Sequence, residues 1–367
     1  MNKNHKKKLK LPKVKLKISK PKLIKRSKAP DERMRDALAN VPKITNETVS
    51  EHREEVLSSA RKYIYPLQHS RKRIVKLSSL IISLAIILFF AYVGVELYKF
   101  QNTSGFIYGV TQVLPLPVAK VGSHWVSYES YLFELRRYMH YYQTQQQVNF
   151  ASTSGRKQLD LYKQQAMSTV IDNTYVKELA NKYKITVSNQ AVNDEVTMVQ
   201  DQNRLGSSQQ QLNAVLSDFW GWNEADFKRE LKQQMLEQAV VGKLDTQANQ
   251  QAQSVLNQLH HGANFATLAS QDSNDGSTRN NGGQFPSPIA QNDPNISPLI
   301  TQALFSLKPG QVSGIINTGY TLEIVKVIKD EGNKVIGAHI AFNLQPLSTY
   351  IKPLEKQQKP EYFIHIR

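Results

Sequence analysis

The chain has 367 residues, 40% of them apolar, which is enough for two or three domains with packed cores. It contains no cysteine, which excludes a disulfide framework and any site that depends on a thiolate. The net charge of +17 is unevenly placed, because residues 1–73 hold 22 Lys and Arg against 7 Asp and Glu. The basic character therefore belongs to an N-terminal arm, and the remaining chain does not require an acidic partner.

The first segment is a basic arm. Residues 1–28 carry thirteen Lys and Arg and no acidic residue, interleaved with Leu, Val, Ile and Pro. Such a block buries too little apolar surface to fold alone, so residues 1–73 are predicted to be a largely disordered cytoplasmic arm. Its spaced apolar residues suit contact with an anionic lipid surface, and a solvated tail that only fixes topology is the alternative. Without interleaved aromatic residues, no specific nucleic-acid partner is predicted.

An apolar run follows the arm. Leu77 to Val95 are nineteen consecutive uncharged residues, which at ~1.5 Å per residue span roughly the hydrocarbon thickness of a bilayer. The run predicts a single transmembrane helix over residues 74–98, and a buried core helix is the alternative. Six Lys and Arg stand between Arg61 and Lys76, just before the run, and only Lys99 closely follows it. The N-terminus is therefore predicted to be cytoplasmic and the C-terminal domains extracytoplasmic, in the cell membrane. Residues 99–117 are rich in turn-forming residues and are predicted to be a linker.

Residues 118–246 show helical periodicity. Apolar residues recur three or four positions apart and predict helices near Ser127 and over 156–183, 188–202, 207–219 and 224–250. The text VAKVGSHWVSYESYLFELR at the start and NEADFKRELKQQMLEQAVVGKL at 223–244 resembles the N-terminal chaperone module of SurA-type and PrsA-type foldases. The resemblance implies a helical cradle that holds unfolded client chains, and an all-helical spacer is the alternative.

The next stretch, residues 247–345, combines helical and strand periodicity around a glycine-rich turn. Four motifs stand in order: G-A-x-F-A-x-L-A-S at 262–270, the pair Gly282-Gly283, ALFSLKPGQVSG at 303–314, and GY followed by IVKV at 319–327. Together they resemble the parvulin family of peptidyl-prolyl isomerases. The predicted fold class is α+β: a transmembrane helix, a mostly helical SurA-like module, and a small parvulin-like domain with an antiparallel sheet. Residues 346–367 are predicted to be a C-terminal tail that packs on that domain.

The resemblance implies a set of site residues. A proline pocket would be lined by Ile296, Ile300 and Phe305, the first two of which are usually Met or Leu and Phe in the family. Gln284 and Phe285 stand where the family has Asp-Leu after the double glycine, and would contact substrate. One further residue, Asp275, falls where the family often has an acidic or thiol residue before the glycine loop. In each case an ordinary core or turn residue is the alternative.

The family also has two histidines on neighbouring strands. The second is absent here, and Glu323 or Thr321 takes its place depending on the direction of counting. Thr318 matches a hydroxyl residue that many members carry just before the glycine at 319. The first should lie in a strand before the first helix, where residues 238–250 instead predict helix.

One candidate for the first histidine comes later, in VIGAHIAF at 335–342. We hypothesise a circularly permuted sheet with His339 as the first histidine. A truncated second repeat at 335–367, or a histidine on an ordinary edge strand, are the alternatives, and His365 is a weaker candidate.

These features predict a membrane-anchored extracytoplasmic foldase. Its parvulin-type domain would isomerise X-Pro bonds in unfolded or proline-containing clients, a rotation that needs no metal or cofactor. The missing histidine leaves isomerase activity open. One alternative is a catalytically inactive parvulin-fold holdase or scaffold, and another is a structural membrane protein whose basic arm is the functional part.

Overall fold

The computed structural model describes residues 30–39, 44–64, 66–202 and 204–366. The chain divides into two compact units, Met1–Ile86 and Ile87–Arg367. The predicted disorder of residues 1–28 lies outside the described residues.

The described part of the first unit is helical. It contains α1 (Pro30–Ala39), α2 (Asn46–Ile64) and the first part of α3 (Pro66–Gly94). In this part of the arm, the capping-box spacing of Thr48 and Glu51 and the text EHREEVLSSARKYI predict a short polar helix, and α2 confirms it. The reason is local, since Thr45 and Thr48 exchange hydrogen bonds at the start of α2, each accepting from the backbone N–H of the other.

One helical stretch within the described residues, Arg73–Lys99, is long and apolar enough to cross a membrane, with a mean hydropathy of 2.5. It consists of the C-terminal part of α3 and a single π turn at Val95–Lys99. Val93 and Leu97, at its C-terminal end, are only 1% and 0% exposed, and they belong to the core of the second unit. The end of the apolar helix is thus packed into a folded domain.

The segment after this helix is not the linker predicted for residues 99–117. It contains α4 (Gly105–Val113), whose N-cap Ser104 accepts a hydrogen bond from a backbone N–H of the first turn. Ile107 and Thr111 are buried one helical turn apart. The two glycines that suggested turns lie in open space within the helix, so the helical spacing of the buried residues decides the structure.

The helical module opens with a hairpin and continues with five helices. These are β1 (Pro117–Val121), β2 (His124–Ser127), α5 (Tyr128–Thr144), α6 (Thr153–Tyr183), α7 (Asn189–Asp201), α8 (Gln209–Trp220) and α9 (Glu224–Leu244). A Ser or Asn side chain caps the N-terminus of every one of the five helices. The predicted helical module is confirmed, but the single helix expected over 224–250 is wrong, because Asp245 ends α9 and its side chain caps the next helix.

The α+β domain follows directly. It consists of α10 (Thr246–His260), α11 (Phe265–Asp272), β3 (Ile289–Ala290), α12 (Pro298–Ser306), β4 (Ile316–Asn317), β5 (Thr321–Asp330) and β6 (Lys334–Asn343). All strand pairs are antiparallel, as the sequence predicted, and the strand order in the sheet is β3-β6-β5-β4. Alternate residues of β5 and β6 pack against α10 and α11 on one face of the sheet and against α12 on the other. The strand β6 lies inside this sheet, between β3 and β5, although it is the last of the four strands along the chain.

The C-terminal tail packs on the helical module, which corrects the expectation that residues 346–367 pack on the α+β domain. It forms α13 (Ser348–Gln357) and β7 (Glu361–Tyr362), and β7 pairs with β1 in a three-stranded sheet. Ile351 and Ile364, 4% and 5% exposed, lie in the core of the helical module. The tail returns to the helical module because β7 pairs with the free edge of β1 and the apolar side chains of the tail enter this core. The α+β domain is therefore inserted between two parts of the helical module.

Candidate active site

The centre of the candidate site is His339 on β6. Its neighbour on β5 is Val325, and Glu323 lies diagonally opposite on the same face of the sheet. The Nδ1 atom of His339 is 2.8 Å from Oε2 of Glu323. Both side chains are buried, each residue being 7% exposed. Glu323 is thus the alternative that contacts the histidine directly, whereas Thr321 lies one step further away.

Asp275 reaches the other ring nitrogen of His339 from the loop after α11. Its Oδ2 atom is 2.9 Å from Nε2 of the histidine. The loop is fixed to β6, because the backbone N–H of Asn274 donates to the carbonyl of Ala341 at 2.7 Å. The hydroxyl of Ser273 accepts from the backbone N–H of Ala341 at 3.2 Å. Residues 64 positions apart in sequence therefore meet in a defined arrangement.

Two hydroxyl groups that the sequence analysis did not single out hold the Asp275 carboxylate. Thr278 Oγ1 donates to its Oδ2 at 2.6 Å and lies 2.9 Å from Nε2 of His339. Ser277 donates to Oδ1 through its hydroxyl at 2.7 Å and its backbone N–H at 2.9 Å. The signal was present, since hydroxyl residues two and three positions after an Asp have the spacing of an Asx turn.

A second chain of hydroxyls holds Glu323. Thr321 Oγ1 donates to Oε1 of Glu323 at 2.8 Å, and Thr318 Oγ1 is in turn 2.8 Å from Thr321 Oγ1. The four predicted catalytic residues, His339, Asp275, Glu323 and Thr318, thus belong to one hydrogen-bond network. Thr318 is its outermost member and does not touch the histidine.

The double glycine brings the loop against β6. Gly283 has a φ of +77°, and a Cβ atom there would lie 2.3 Å from the carbonyl oxygen of His339. The backbone N–H of His339 donates to the carbonyl of Gly283 at 2.8 Å. Only glycine fits this close antiparallel contact. The turn also brings the ring of Phe285 onto the imidazole, with ring centres 4.4 Å apart and planes 24° from parallel.

The residues predicted for the proline pocket form one apolar cluster beside the histidine. Ile300 and Phe285 are buried in it, and Ile296 and Phe305 pack against it half-buried. Gln284 is half-buried and bridges to Ala338 on β6. The cluster is close to His339 through Phe285, but its members pack mainly on one another and on the sheet.

The helical module touches this cluster. Arg204, in the loop between α7 and α8, donates from Nη2 to the carbonyl of Ile296 at 2.7 Å. Gln202 donates to the carbonyl of Pro298 at 2.9 Å. Two side chains of the helical module therefore fix the backbone that precedes α12.

The environment favours a positively charged histidine beside Asp275 and Glu323. Burial lowers the pKa of His339, but hydrogen bonding to Glu323 and its charge, with those of Asp275, outweigh burial and raise the pKa above its ordinary value. Burial raises the pKa of Asp275, but hydrogen bonds from Thr278, Ser277 and His339 outweigh it and hold that pKa far below its usual range. A neutral imidazole can donate to only one carboxylate, whereas the imidazolium donates to both.

The helical module contains a separate cleft of about 630 Å³. Its lining includes Trp125, which is 63% exposed, and Phe133, over whose ring the Arg229 guanidinium lies at 4.3 Å. Burial and the neighbouring Glu134 raise the pKa of Glu230, on the same wall, to about 7. The cleft thus offers aromatic surface beside charges of both signs.

No cluster of three or more His, Asp or Glu side chains with metal-binding geometry occurs in the part of the chain that the structure describes. Both ring nitrogens of His339 face carboxylate oxygens on opposite sides. The weaker candidate, His365, lies in the tail against the helical module, where its backbone carbonyl accepts from Gln101.

Comparison with known proteins gives two family matches. The profile described as SurA-like N-terminal domain matches residues 67–241, and that described as PPIC-type PPIase domain matches residues 234–329. The second match begins inside α9 and ends before β6, so it does not include His339. A solved structure of the peptidylprolyl isomerase PrsA from Bacillus anthracis is 22% identical, covering 52% of this chain and 88% of that chain, with a TM-score of 0.16. A search of curated proteins found no match.

Proposed function

We propose a function for this chain from its membership of the parvulin-type foldases, in which a SurA-like N-terminal domain precedes a PPIC-type peptidyl-prolyl isomerase domain. It is a membrane-anchored extracytoplasmic isomerase that also holds unfolded or proline-containing client chains. One observation carries the proposal: His339 is held between the carboxylates of Glu323 and Asp275 at 2.8 and 2.9 Å. The ring of Phe285 stacks on the imidazole of His339.

The chemistry required is rotation about an X-Pro bond. Its barrier of ~18–20 kcal/mol arises from amide resonance, which places partial negative charge on the carbonyl oxygen. A negative group beside that oxygen disfavours the planar resonance form, and an apolar surface that excludes water strengthens the effect. Asp275 suits this role, because its depressed pKa keeps it negative and its side chain is 26% exposed.

The other network residues have supporting roles. His339 and Thr278 orient the Asp275 carboxylate, and Glu323 keeps the histidine charged. Ser277, which is exposed, can turn its hydroxyl from Asp275 to the proline nitrogen, which gains a lone pair as the bond twists. The cluster of Ile296, Ile300 and Phe305 would contact the proline ring, with Phe285 beside it.

The position of β6 supports a circularly permuted sheet. The isomerase profile begins within α9, where this chain has helix in place of an opening strand. The strand β6 instead reaches the neighbouring position of β5 through a tight turn at Glu331 and Gly332, and it carries His339. After Asn343 the chain returns to the helical module, which disfavours a truncated second repeat.

The anchor and its orientation follow from charge. Arg73–Lys99 is the membrane span, and the Lys and Arg residues before it keep the N-terminus in the cytoplasm by the positive-inside rule. The basic arm would contact anionic lipid there, and both folded domains would face outward.

A catalytically inactive holdase is the second candidate. It is favoured by the burial of Ile300 and Phe285, 4% and 7% exposed, within a packed cluster that offers little room for a proline ring. The cleft in the helical module, with Trp125 exposed, would then be the site that binds clients.

The test is a pair of assays, one of peptide isomerisation and one of the aggregation of an unfolded protein. Both use the full chain in detergent, because fragments that begin after Ile107 would lose part of the core. The first follows protease-coupled isomerisation of a short X-Pro peptide by the native chain, His339→Ala and the control His365→Ala. We expect catalysis that His339→Ala reduces about tenfold or more, equivalent to ~1.4 kcal/mol, and that His365→Ala leaves unchanged. If the native chain does not accelerate isomerisation but still suppresses aggregation of an unfolded protein, the isomerase proposal is wrong and the holdase is the function.

A further inference from the structure

Three exposed apolar side chains follow the end of the apolar helix. Phe100 and Phe106 are each 62% exposed and Val113 is 79% exposed. Phe106 and Val113 are seven positions apart, so they lie on one face of α4, while Ile107 and Thr111 are buried on the other. Within one short helix, the outward face is therefore as apolar as the inward face.

The end of the apolar helix is built into the helical module. The Tyr128 hydroxyl donates to the carbonyl of Leu97 at 2.6 Å, and the Tyr98 hydroxyl donates to the carbonyl of Pro117 at 2.7 Å. The connection to α4 is tied as well, since Arg136 donates to the carbonyl of Thr103 at 2.6 Å. The helix end and α4 therefore form one packed body, with no free linker between them.

The depth of the helix end in the bilayer follows from the length of the apolar run. A bilayer core of about 30 Å needs about 20 helical residues, and the uncharged run begins at Leu77. Counting from there puts Val93 to Lys99 at the outer edge of the hydrocarbon. Since Val93 is 1% exposed, the part of the module that covers it lies at that depth. The Lys99 ammonium 5.7 Å from the Phe100 ring centre is a pairing suited to the headgroup region.

We propose that Phe100 and the outward face of α4, with Phe106 and Val113, form a membrane-contact surface that lies at the headgroup and acyl-chain boundary of the outer leaflet. The partner is the lipid bilayer itself, bound mainly by apolar contact. This rests on the membrane anchoring proposed above. The folded domains would then be seated on the membrane in a fixed orientation, and clients would be received close to its surface.

The test uses spin labels on single cysteines, since the native chain has none. The full chain in lipid vesicles is labelled in turn at Leu84, Phe106, Val113 and, as a control on α6, Leu161, which is 56% exposed. The accessibility of each label to oxygen and to a water-soluble nickel complex gives its depth.

We expect the label at residue 84 deep in the bilayer, those at 106 and 113 at its boundary, and that at 161 in water. If the labels at 106 and 113 are as accessible to nickel as the label at 161 while the label at 84 is still deep, the membrane-contact surface is wrong but the membrane anchor remains. A label at 84 in water would overturn the anchor and the surface together.

A second experiment tests whether the apolar side chains hold α4 at the membrane. A label at Gly109, where a side chain would meet open space, reports on the helix without entering the core. We expect it to move into water in a Phe106→Ser/Val113→Ser background and to stay in place in the control Leu161→Ser/Phe219→Ser. An unchanged depth in the first background would contradict the proposal.

Discussion

At the scale of single residues, the candidate site depends on how buried ionisable groups keep their charge. His339 and Asp275 come from a strand and a loop, with Glu323 on the neighbouring strand, and burial alone would discharge His339 and Asp275. Opposite charges and hydroxyl donors reverse that effect, so that Asp275 stays ionised and His339 gains a proton more readily than in water. The Thr278 hydroxyl, which donates to Asp275, is as much a part of this balance as the two titrating groups.

The charged bridge predicts a pH dependence of stability. The raised pKa of His339 means that its contribution is complete below the ordinary value of about 6.5 and is lost as the pH rises through the raised value. The depressed pKa of Asp275 acts at the other end, contributing above about 3.9 and losing its effect as the pH falls towards its folded-state value. We therefore expect the thermal midpoint, followed by circular dichroism, to fall above about pH 6.5 more steeply for the native chain than for His339→Gln. Parallel curves would show that the histidine carries no such linkage.

Some of this site could be predicted from sequence and some could not. Motif order indicated Asp275, the glycine pair and His339, because these residues stand at recognisable spacings. Whether Glu323 or Thr321 meets the histidine depends on strand register, because the two residues lie on the same face of β5 and a shift of two residues would exchange them. Burial of Ile300 within the cluster depends on how α12 packs, which spacing alone does not specify.

At the scale of elements, the glycine turn against β6 decides whether the site forms. Gly283 is needed both for its positive φ and for the space beside the His339 carbonyl, whereas Gly310 has a φ of +89° in open space. Comparing the two separates backbone strain from close contact.

We expect Gly310→Ala to cost only the conformational strain of about 1–2 kcal/mol and to keep isomerase activity. Gly283→Ala must also push β6 away, so we expect a larger loss of unfolding free energy and loss of activity in the protein that remains folded. Urea unfolding and the peptide assay measure both. Equal costs for the two substitutions, with activity kept in both, would mean that the close contact at Gly283 does not matter.

Two helical segments show where sequence signals for different local structures compete. Residues 99–117 contain turn-forming glycines but fold as α4, because Ile107 and Thr111 find a core to enter. In α9 and α10 the periodicity is continuous, and a single Asp245 side chain turns one predicted helix into two. Periodicity identifies residues 224–250 as helical, whereas the composition of residues 99–117 suggests a linker, and in both segments the helix ends depend on caps and on tertiary contacts.

At the scale of the whole molecule, the chain leaves the helical module at Asp245 and returns after Asn343. The two crossings are joined, since the backbone N–H of Gln345 donates to Oδ2 of Asp245 at 2.8 Å. The tail then completes the helical module through β7 and α13. This return could not be predicted from the sequence, because α13 is short and β7 has two residues, too little pattern to indicate a partner.

The inserted arrangement predicts that the tail stabilises the helical module and not the candidate site. Ile351→Ala removes a side chain that is 4% exposed in the module core, and we expect a loss of about 2–5 kcal/mol in unfolding free energy. Isomerase activity per folded molecule should be unchanged, and Lys352→Ala on the exposed side of α13 should have little effect on either. A loss of activity in folded Ile351→Ala protein would tie the tail to the α+β domain instead.

The central claim is that His339 is a charged link between Glu323 and Asp275. An NMR titration of the His339 imidazole in the full chain, in detergent, measures this directly, with Glu323→Gln as the comparison. We predict a pKa above the ordinary histidine value of about 6.5 that falls when Glu323 is neutralised. A pKa at or below the ordinary value that Glu323→Gln does not change would contradict the account, since the two carboxylates would then not hold a charged histidine.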